Sequence, residues 1–483
     1  MSEPTPGPVE QPDTGGPTRA PRRLSPLTPL VRGGILLLAM VATSWDDLLA
    51  GRLGPVGLTL LGVLVVGGVI GYASWLRTKY WIEADELRID TGVISHQSRQ
   101  IRIDRLQGID IVQPFVARLF GLAELRMDTA GGDREGSLAF LPLAEAQRLR
   151  QTLLAKRDAV RRADPTDDGS RAEGPSPPRG WSRDWAPPDH DIAVLGLRTL
   201  VLSVVFSPTT VALLVGGAFF GWTFAHNGVV MVAPGLPVVA GFVLLQVRRL
   251  SAYYGFTVSR TSAGLQVRRG LLERSSQTIA LARVQGVVIT EPWMWRLWGW
   301  ARLDVSIAGY GSGGESEGGP SASTVMPVAA RVVVLQLAQD LLRGEDAGGD
   351  GGDGGDDDGK VEVDPDVVRT SPPPDRARWL EPVGRRFLGA GLGADVAVAR
   401  EGRFTRRTHV VRHARVQSLR LAQGPLQRAL GLADVHLDSP PGPVHVRFRH
   451  RASDDARVLL DQEQLLARAA RAAHSVRAVR AVR

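Results

Sequence analysis

Nine histidines lie scattered along the chain, and none stands in the His-Glu-x-x-His spacing that would hold a zinc ion. There is no Gly-x-Ser-x-Gly elbow, no phosphate-cradling P-loop and no dinucleotide fingerprint. Cysteine is absent, which removes disulfides, thiolate zinc sites and a cysteine nucleophile together. Asp46 and Asp47 form an isolated carboxylate pair in a short turn. The run GGDGGDGGDDDG lacks the large apolar residue of calcium-binding repeats and reads as a solvated spacer. These residues predict no enzyme, no cofactor and no metal site.

Two residue types remain for binding chemistry. Tryptophans cluster in EPWMWRLWGWAR, where Trp293 and Trp295 are candidates for a membrane interface or a partner surface. The alternative is a larger apolar pocket in that part of the chain. Arginines gather at Arg400, Arg403, Arg406, Arg407, Arg412, Arg415 and Arg420. Of these, Arg403, Arg406, Arg407 and Arg412 are the candidate lipid or partner contacts, since each charge near an anionic leaflet gains ~1 kcal/mol. Among 58 basic residues only Lys79, Lys156 and Lys360 are lysine, so coding bias also supplies arginine to ordinary solvated surface. The net charge is +8.

These residues need elements to carry them. Stretches 55–76, 199–225 and 228–247 carry no charge, and each reaches the ~20 residues that cross a hydrocarbon core. Stretch 27–43, with Arg32 near its start, is a fourth candidate that would pair with 55–76. Pro208, Pro234 and Pro237 are tolerated inside membrane helices. Arg19, Arg22, Arg23, Arg77, Lys79, Arg248 and Arg249 flank the outer ends, and the turns between paired stretches are poor in base. The positive-inside rule then places both termini in the cytoplasm.

The segment RIDRLQGIDIVQPFVARLFGLAELRMDTAG recurs as ALARVQGVVITEPWMWRLWGWARLDVSIAG and as RHARVQSLRLAQGPLQRALGLADVHLDSPPG. Without a gap, Arg105, Arg283 and Arg415 align, as do Gln107, Gln285 and Gln417. Arg118, Arg296 and Arg428 follow, then Gly121, Gly299 and Gly431. Upstream, Gly92, Gly270 and Gly402 keep the same spacing. Recurrence in three copies points to demands of the fold. The glycines serve backbone geometry, and the Arg–Gln pair either ties a strand to a loop or meets lipid phosphate. Positions 120, 298 and 430 are always apolar and are expected in the core, as are 122, 300 and 432. Positions 117, 295 and 427 hold Ala, Trp and Gln, so that site is not reliably buried, and Trp295 is a candidate for an exposed aromatic or for a larger apolar pocket in the second copy.

Each copy alternates apolar and polar residues, contains a short helical turn and ends in an amphipathic helix. The expected fold class is a multi-pass α-helical membrane protein with three pleckstrin-homology-like β-barrel domains, each closed by a C-terminal helix (α+β). The expected layout is a disordered start (1–25), hairpin 1 (26–76), domain 1 (77–158), a linker (159–190), hairpin 2 (191–249), domain 2 (250–343), a Gly/Asp/Pro-rich linker (344–377), domain 3 (378–475) and a basic tail (476–483). Domain 3, with no hairpin before it, would sit on a flexible tether.

The Arg-x-Gln pair, the Arg-Leu-x-Gly-Leu/Trp-Ala segment and the paired apolar stretches resemble the bacterial membrane-associated pleckstrin-homology proteins of the YdbS/YdbT-like family. The resemblance covers residues 25–160, 190–344 and 378–475, in the manner of its longer three-domain members. It implies an architecture and brings no catalytic residues. The expected function is a non-enzymatic membrane scaffold at the bacterial cell membrane. Its expected partners are anionic inner-leaflet lipids, proteins and further copies of itself, with no nucleic acid. The alternative is a component of an export or resistance system for membrane-active compounds.

Overall fold

The computed structural model describes residues 76–83, 86–91, 97–129, 136–163, 190–227, 232–261, 264–308, 323–343 and 368–481, with 22–23, 62, 65 and 72–73. The expected disordered start, nearly all of hairpin 1 with Asp46 and Asp47, and most of both linkers lie outside the described residues.

The first repeat runs, after a short β1 (Arg22–Arg23), through β2 (Lys79–Glu83), β3 (Glu86–Thr91), β4 (Gln97–Arg102), β5 (Leu106–Gln113), helix α1 (Phe115–Leu119), β6 (Leu122–Thr129), β7 (Gly136–Pro142) and helix α2 (Leu143–Ala163). The second comprises β8 (His190–Val194), α3 (Leu197–Val205), α4 (Pro208–Asn227), α5 (Val232–Tyr253), β9 (Thr257–Thr261), β10 (Gly264–Arg269), β11 (Arg274–Ile279), β12 (Val284–Pro292), α6 (Trp293–Leu297), β13 (Trp300–Ile307), β14 (Thr324–Ala330) and α7 (Arg331–Arg343). The third holds β15 (Gly389–Leu392), β16 (Val396–Glu401), β17 (Thr405–Arg412), β18 (Ser418–Ala422), α8 (Pro425–Ala429), β19 (Leu432–Asp438), β20 (Val446–Ala452) and α9 (Ser453–Ala481).

The chain divides into two units, one holding residues 1–106, 116–127 and 135–165, the other 107–115, 128–134 and 166–483. In the first unit, β1 to β4 pair antiparallel in order. Alternation turns Leu87, Ile89 and Ile101 inward, and all three are buried. The Tyr80 hydroxyl donates to Glu145 at 2.7 Å, tying β2 to the first turn of α2.

In the second unit the strands run β5–β11–β10–β9–β8, β14–β13–β12–β17–β16–β15 and β18–β19–β20. Helix α7 closes the second barrel by burying Val334, Leu337, Ala338, Leu341 and Leu342. Phe448, Val435 and Leu437 centre the third barrel's core.

Glycine geometry recurs in the three copies. Gly121, Gly299 and Gly431 have φ of +66°, +64° and +61°, and each ends a short helix. Each glycine carbonyl also accepts the first N–H of the closing helix, from Leu143 at 3.0 Å, Arg331 at 2.7 Å and Ser453 at 3.0 Å.

The multi-pass helical expectation is corrected. The described fold is mostly β, and no single helix among the described residues is long and apolar enough to cross a membrane. Only Leu197–Val205 with Pro208–Phe219 passes by length and composition, as a pair bent by 48°. The cause of the break is local. Pro208 has no N–H for the preceding turn and disfavours helical geometry at Ser207. A polar knot holds the break, with Thr210 donating to the Val204 carbonyl at 2.6 Å and Gln246 of α5 donating to Thr210 at 2.7 Å.

The third domain is not on a free tether. Strand β12 pairs with β17 over seven residues, from Gly286↔Val411 to Pro292↔Thr405. Val368, Val396, Val398 and Val410 belong to the same apolar core as the second barrel. Residues 368–377, expected to be linker, pack on the third domain. Ser371 bridges to Ala390, and Arg451 donates to the carbonyls of Ser371 and Pro372 at 2.6 and 3.0 Å. Burial pulls the Arg451 pKa down to about 10.

Candidate functional site

The short helix α6 begins where β12 ends, just after Pro292, which caps it in an extended conformation. Trp295 faces inward at 2% exposure, and its indole N–H donates to the Ser203 carbonyl of α3 at 3.3 Å. The expectation of an exposed Trp295 is therefore corrected. Position 295 is the inner face of the short helix, as Ala117 is in the first repeat, and Gln427 is half-buried there in the third. The expectation for positions 120 and 298 reverses too, since Phe120 and Trp298 are exposed; Leu430 is half-buried. Leu122 and Leu432 are buried, and Trp300 is half-buried.

With Trp295 turned in, Trp293, Leu297 and Trp298 are turned out, at 43%, 78% and 55% exposure. Trp298 lies 5.3 Å from Phe206, at the break between α3 and α4, and 5.8 Å from Trp300. The hairpin tip between β16 and β17 joins them. The Trp293 N–H donates to the Phe404 carbonyl at 2.7 Å, and Arg296 donates to the Arg403 carbonyl at 3.2 Å. Phe404 is exposed, with the Arg403 guanidinium 5.1 Å from its ring. An aromatic candidate and a basic candidate, more than a hundred residues apart, thus meet in one ridge.

The other arginines divide by use. Arg406 reaches the buried Glu291 at 3.7 Å, and Arg331 reaches the same carboxylate at 3.2 Å. Arg407 is exposed beside Thr290, its partner in the β12–β17 register. Arg412 is half-buried opposite Val396. Arg403 and Arg407 are the members of the predicted set that face solvent.

The repeated arginines Arg105, Arg283 and Arg415 hold equivalent places in the three copies. Each ends a tight helical turn ahead of a strand. Arg283 donates to the Ala308 carbonyl at 2.7 Å and Arg415 to the Ala282 carbonyl at 2.9 Å, while Arg105 is exposed. Gln285 is buried and donates to the Arg283 carbonyl at 3.1 Å; Gln417 is exposed. Arg118 and Arg428 are exposed beside their capping glycines. The side chain of Gln107 lies outside the described residues.

Sequence comparison decides what these repeats are. The chain matches the family described as Bacterial PH domain over residues 34–157, 195–342 and 392–465. It belongs to that family. Among curated proteins, the UPF0699 transmembrane protein YdbT of Bacillus subtilis (strain 168) is 24% identical over 278 residues. The match covers 55% of this chain and 56% of that relative, so the chain spans about half the length of the curated protein it matches. No solved structure matches.

For a bacterial PH domain chain, the ridge is an amphipathic surface of exposed apolar and aromatic side chains with Arg403 at its flank. Among the described residues no group of three His, Cys, Asp or Glu could hold a metal ion. Leu297, Trp298, Phe206 and Phe404 were not singled out from sequence. Trp298 was hidden by apolar recurrence at 120, 298 and 430. Phe404, an apolar residue two places after the turn glycine Gly402, is a readable signal.

Proposed function

We propose that this chain is a non-enzymatic, membrane-associated scaffold that docks its second and third PH domains on the cytoplasmic face of the bacterial membrane. The ridge of Trp293, Leu297, Trp298 and Phe404, with Arg403 at its flank, is the observation that carries this reading. Tryptophan and arginine together favour the boundary between headgroups and acyl chains. The apolar α3–α4 pair adjoins the ridge through Phe206 and Trp298. The matched relative is named a transmembrane protein, which supports membrane association. The PH domains then present lipid headgroups or protein partners to one another.

The absence of cysteine makes the test direct. The full chain carrying Leu297→Cys is labelled with an environment-sensitive dye and mixed with phosphatidylglycerol-containing vesicles. The emission is expected to shift to the blue and brighten, and salt is expected to weaken the response. A label that still reports bulk water with vesicles bound would overturn the reading.

A further inference from the structure

The strand pairings that join successive repeats obey one rule. At the first junction β5 pairs with β11, as Gln113↔Arg274, Val112↔Ser275 and Ile111↔Ser276. At the second junction β12 pairs with β17, as Glu291↔Arg406, Thr290↔Arg407 and Ile289↔Thr408. In the frame of the repeat these are the same positions. Glu291 stands where Gln113 does, and Arg406 stands where Arg274 does. Both junctions are antiparallel and in identical register. The strand that follows the Arg-x-Gln turn of one repeat takes the strand that precedes that turn in the next.

The third repeat has the donor strand and no successor. Its β18 ends the sheet β18–β19–β20, and among the described residues no strand pairs with its outer edge. Burial records the difference. Ile111 is 7% exposed and Ile289 is 2% exposed, while Leu421, at the same position, is 40% exposed. At the other end of the series, β4 holds the place of β11 and β17, and among the described residues it stands last in its own sheet.

We propose that β18 of one copy takes β4 of a second copy, so that the chain associates head to tail by the rule that joins its own repeats. The register of the internal junctions places Ala422 opposite Gln97, Leu421 opposite Ser98, Arg420 opposite Arg99, Leu419 opposite Gln100 and Ser418 opposite Ile101. An exposed sheet edge is a template for such pairing. Facing arginines weaken a cross-strand pair. Asp438, 3.7 Å from Arg420, offsets that charge within β18's own sheet. The interface is heterologous, since it uses different surfaces on the two copies. It therefore builds rings when the rotation closes and filaments when it does not.

Disulfide trapping tests both the partner and the register. One full-length chain carries Leu421→Cys and a second, with a different tag, carries Ser98→Cys. Opposed residues in antiparallel strands fall within disulfide reach. Oxidation in detergent solution is expected to link the mixture into heterodimers and to leave each chain alone unlinked. Arg102→Cys replaces Ser98→Cys as the out-of-register control and is expected not to link. Both changes fall on exposed side chains, so the fold is kept. No link in the mixture, equal linking by the control, or self-linking of the Leu421→Cys chain through paired β18 edges would each overturn the proposal.

Discussion

His413 and Glu463 show how much one buried pair carries in the third domain. Both side chains are fully enclosed, with the His413 Nδ1 2.8 Å from a Glu463 carboxylate oxygen. The other ring nitrogen lies 3.2 Å from the Gly393 carbonyl. Both partners are acceptors, so the ring is satisfied only as the doubly protonated cation. Burial alone pulls the His413 pKa down, but the hydrogen bond and charge of Glu463, with the Gly393 carbonyl and the charge of Asp395, outweigh it and raise the pKa above its ordinary value. A raised folded pKa contributes stability that is complete below the unfolded value and is lost as pH rises through the folded one. The third domain is therefore expected to weaken on the alkaline side of neutrality, read as a falling urea midpoint. Glu463→Gln should flatten that dependence. His413→Ala, which strands a buried carboxylate, should cost about 3–5 kcal/mol. A midpoint that rises with pH would contradict the pairing. The positions equivalent to His413 are Ile103 and Leu281, so nothing in the repeat pattern pointed to a charge there.

At the scale of elements, two classes of glycine make different demands. Gly299 has φ +64° with open space around a hypothetical Cβ, so Gly299→Ala meets backbone strain alone, about 1–2 kcal/mol. Asn, which visits that region more readily, should recover part of the loss. Gly270 has φ +106°, and a Cβ there would fall on the Glu273 carbonyl oxygen. Gly270→Ala should therefore lose clearly more stability than Gly299→Ala, measured by thermal unfolding of the full chain; equal losses would show that the β10–β11 turn relaxes. Both glycines were readable from sequence, because three copies hold them at fixed spacing. The closing helices were readable for a similar reason, since an apolar stripe needs a barrel to cover. In the short helix, recurrence of apolar type at 120, 298 and 430 does not mean burial, since Phe120 and Trp298 are exposed. In fact one inward position per turn, 117 or 295, fills the core. The break at Ser207 was visible as Pro208, but an all-apolar flank concealed its effect. Pairing between repeats leaves no mark on a repeat pattern, so the β12–β17 seam was invisible.

That seam sets the behaviour of the whole molecule. Repeats two and three share a six-stranded sheet and an apolar core that takes in Val368, Val396, Val398 and Val410. At the end of the seam Glu291 is 4% exposed between Arg331, which opens the second domain's closing helix, and Arg406 of the third. Removing this carboxylate takes a buried ion-pair partner from both arginines in one step. Independent domains would confine the loss to the one that holds Glu291. A shared sheet cannot, because opening β12 exposes the inner edge of β17 as well as that of β13. Glu291→Ala is therefore expected to speed native-state hydrogen exchange in β13 and in β19 by the same factor, about tenfold or more. Faster exchange in β13 with β19 unchanged would mean that the two domains open separately. Equal acceleration would mean that they fold as one cooperative body, in which the aromatic ridge, built from α6 of one and the β16–β17 tip of the other, persists only while both are intact.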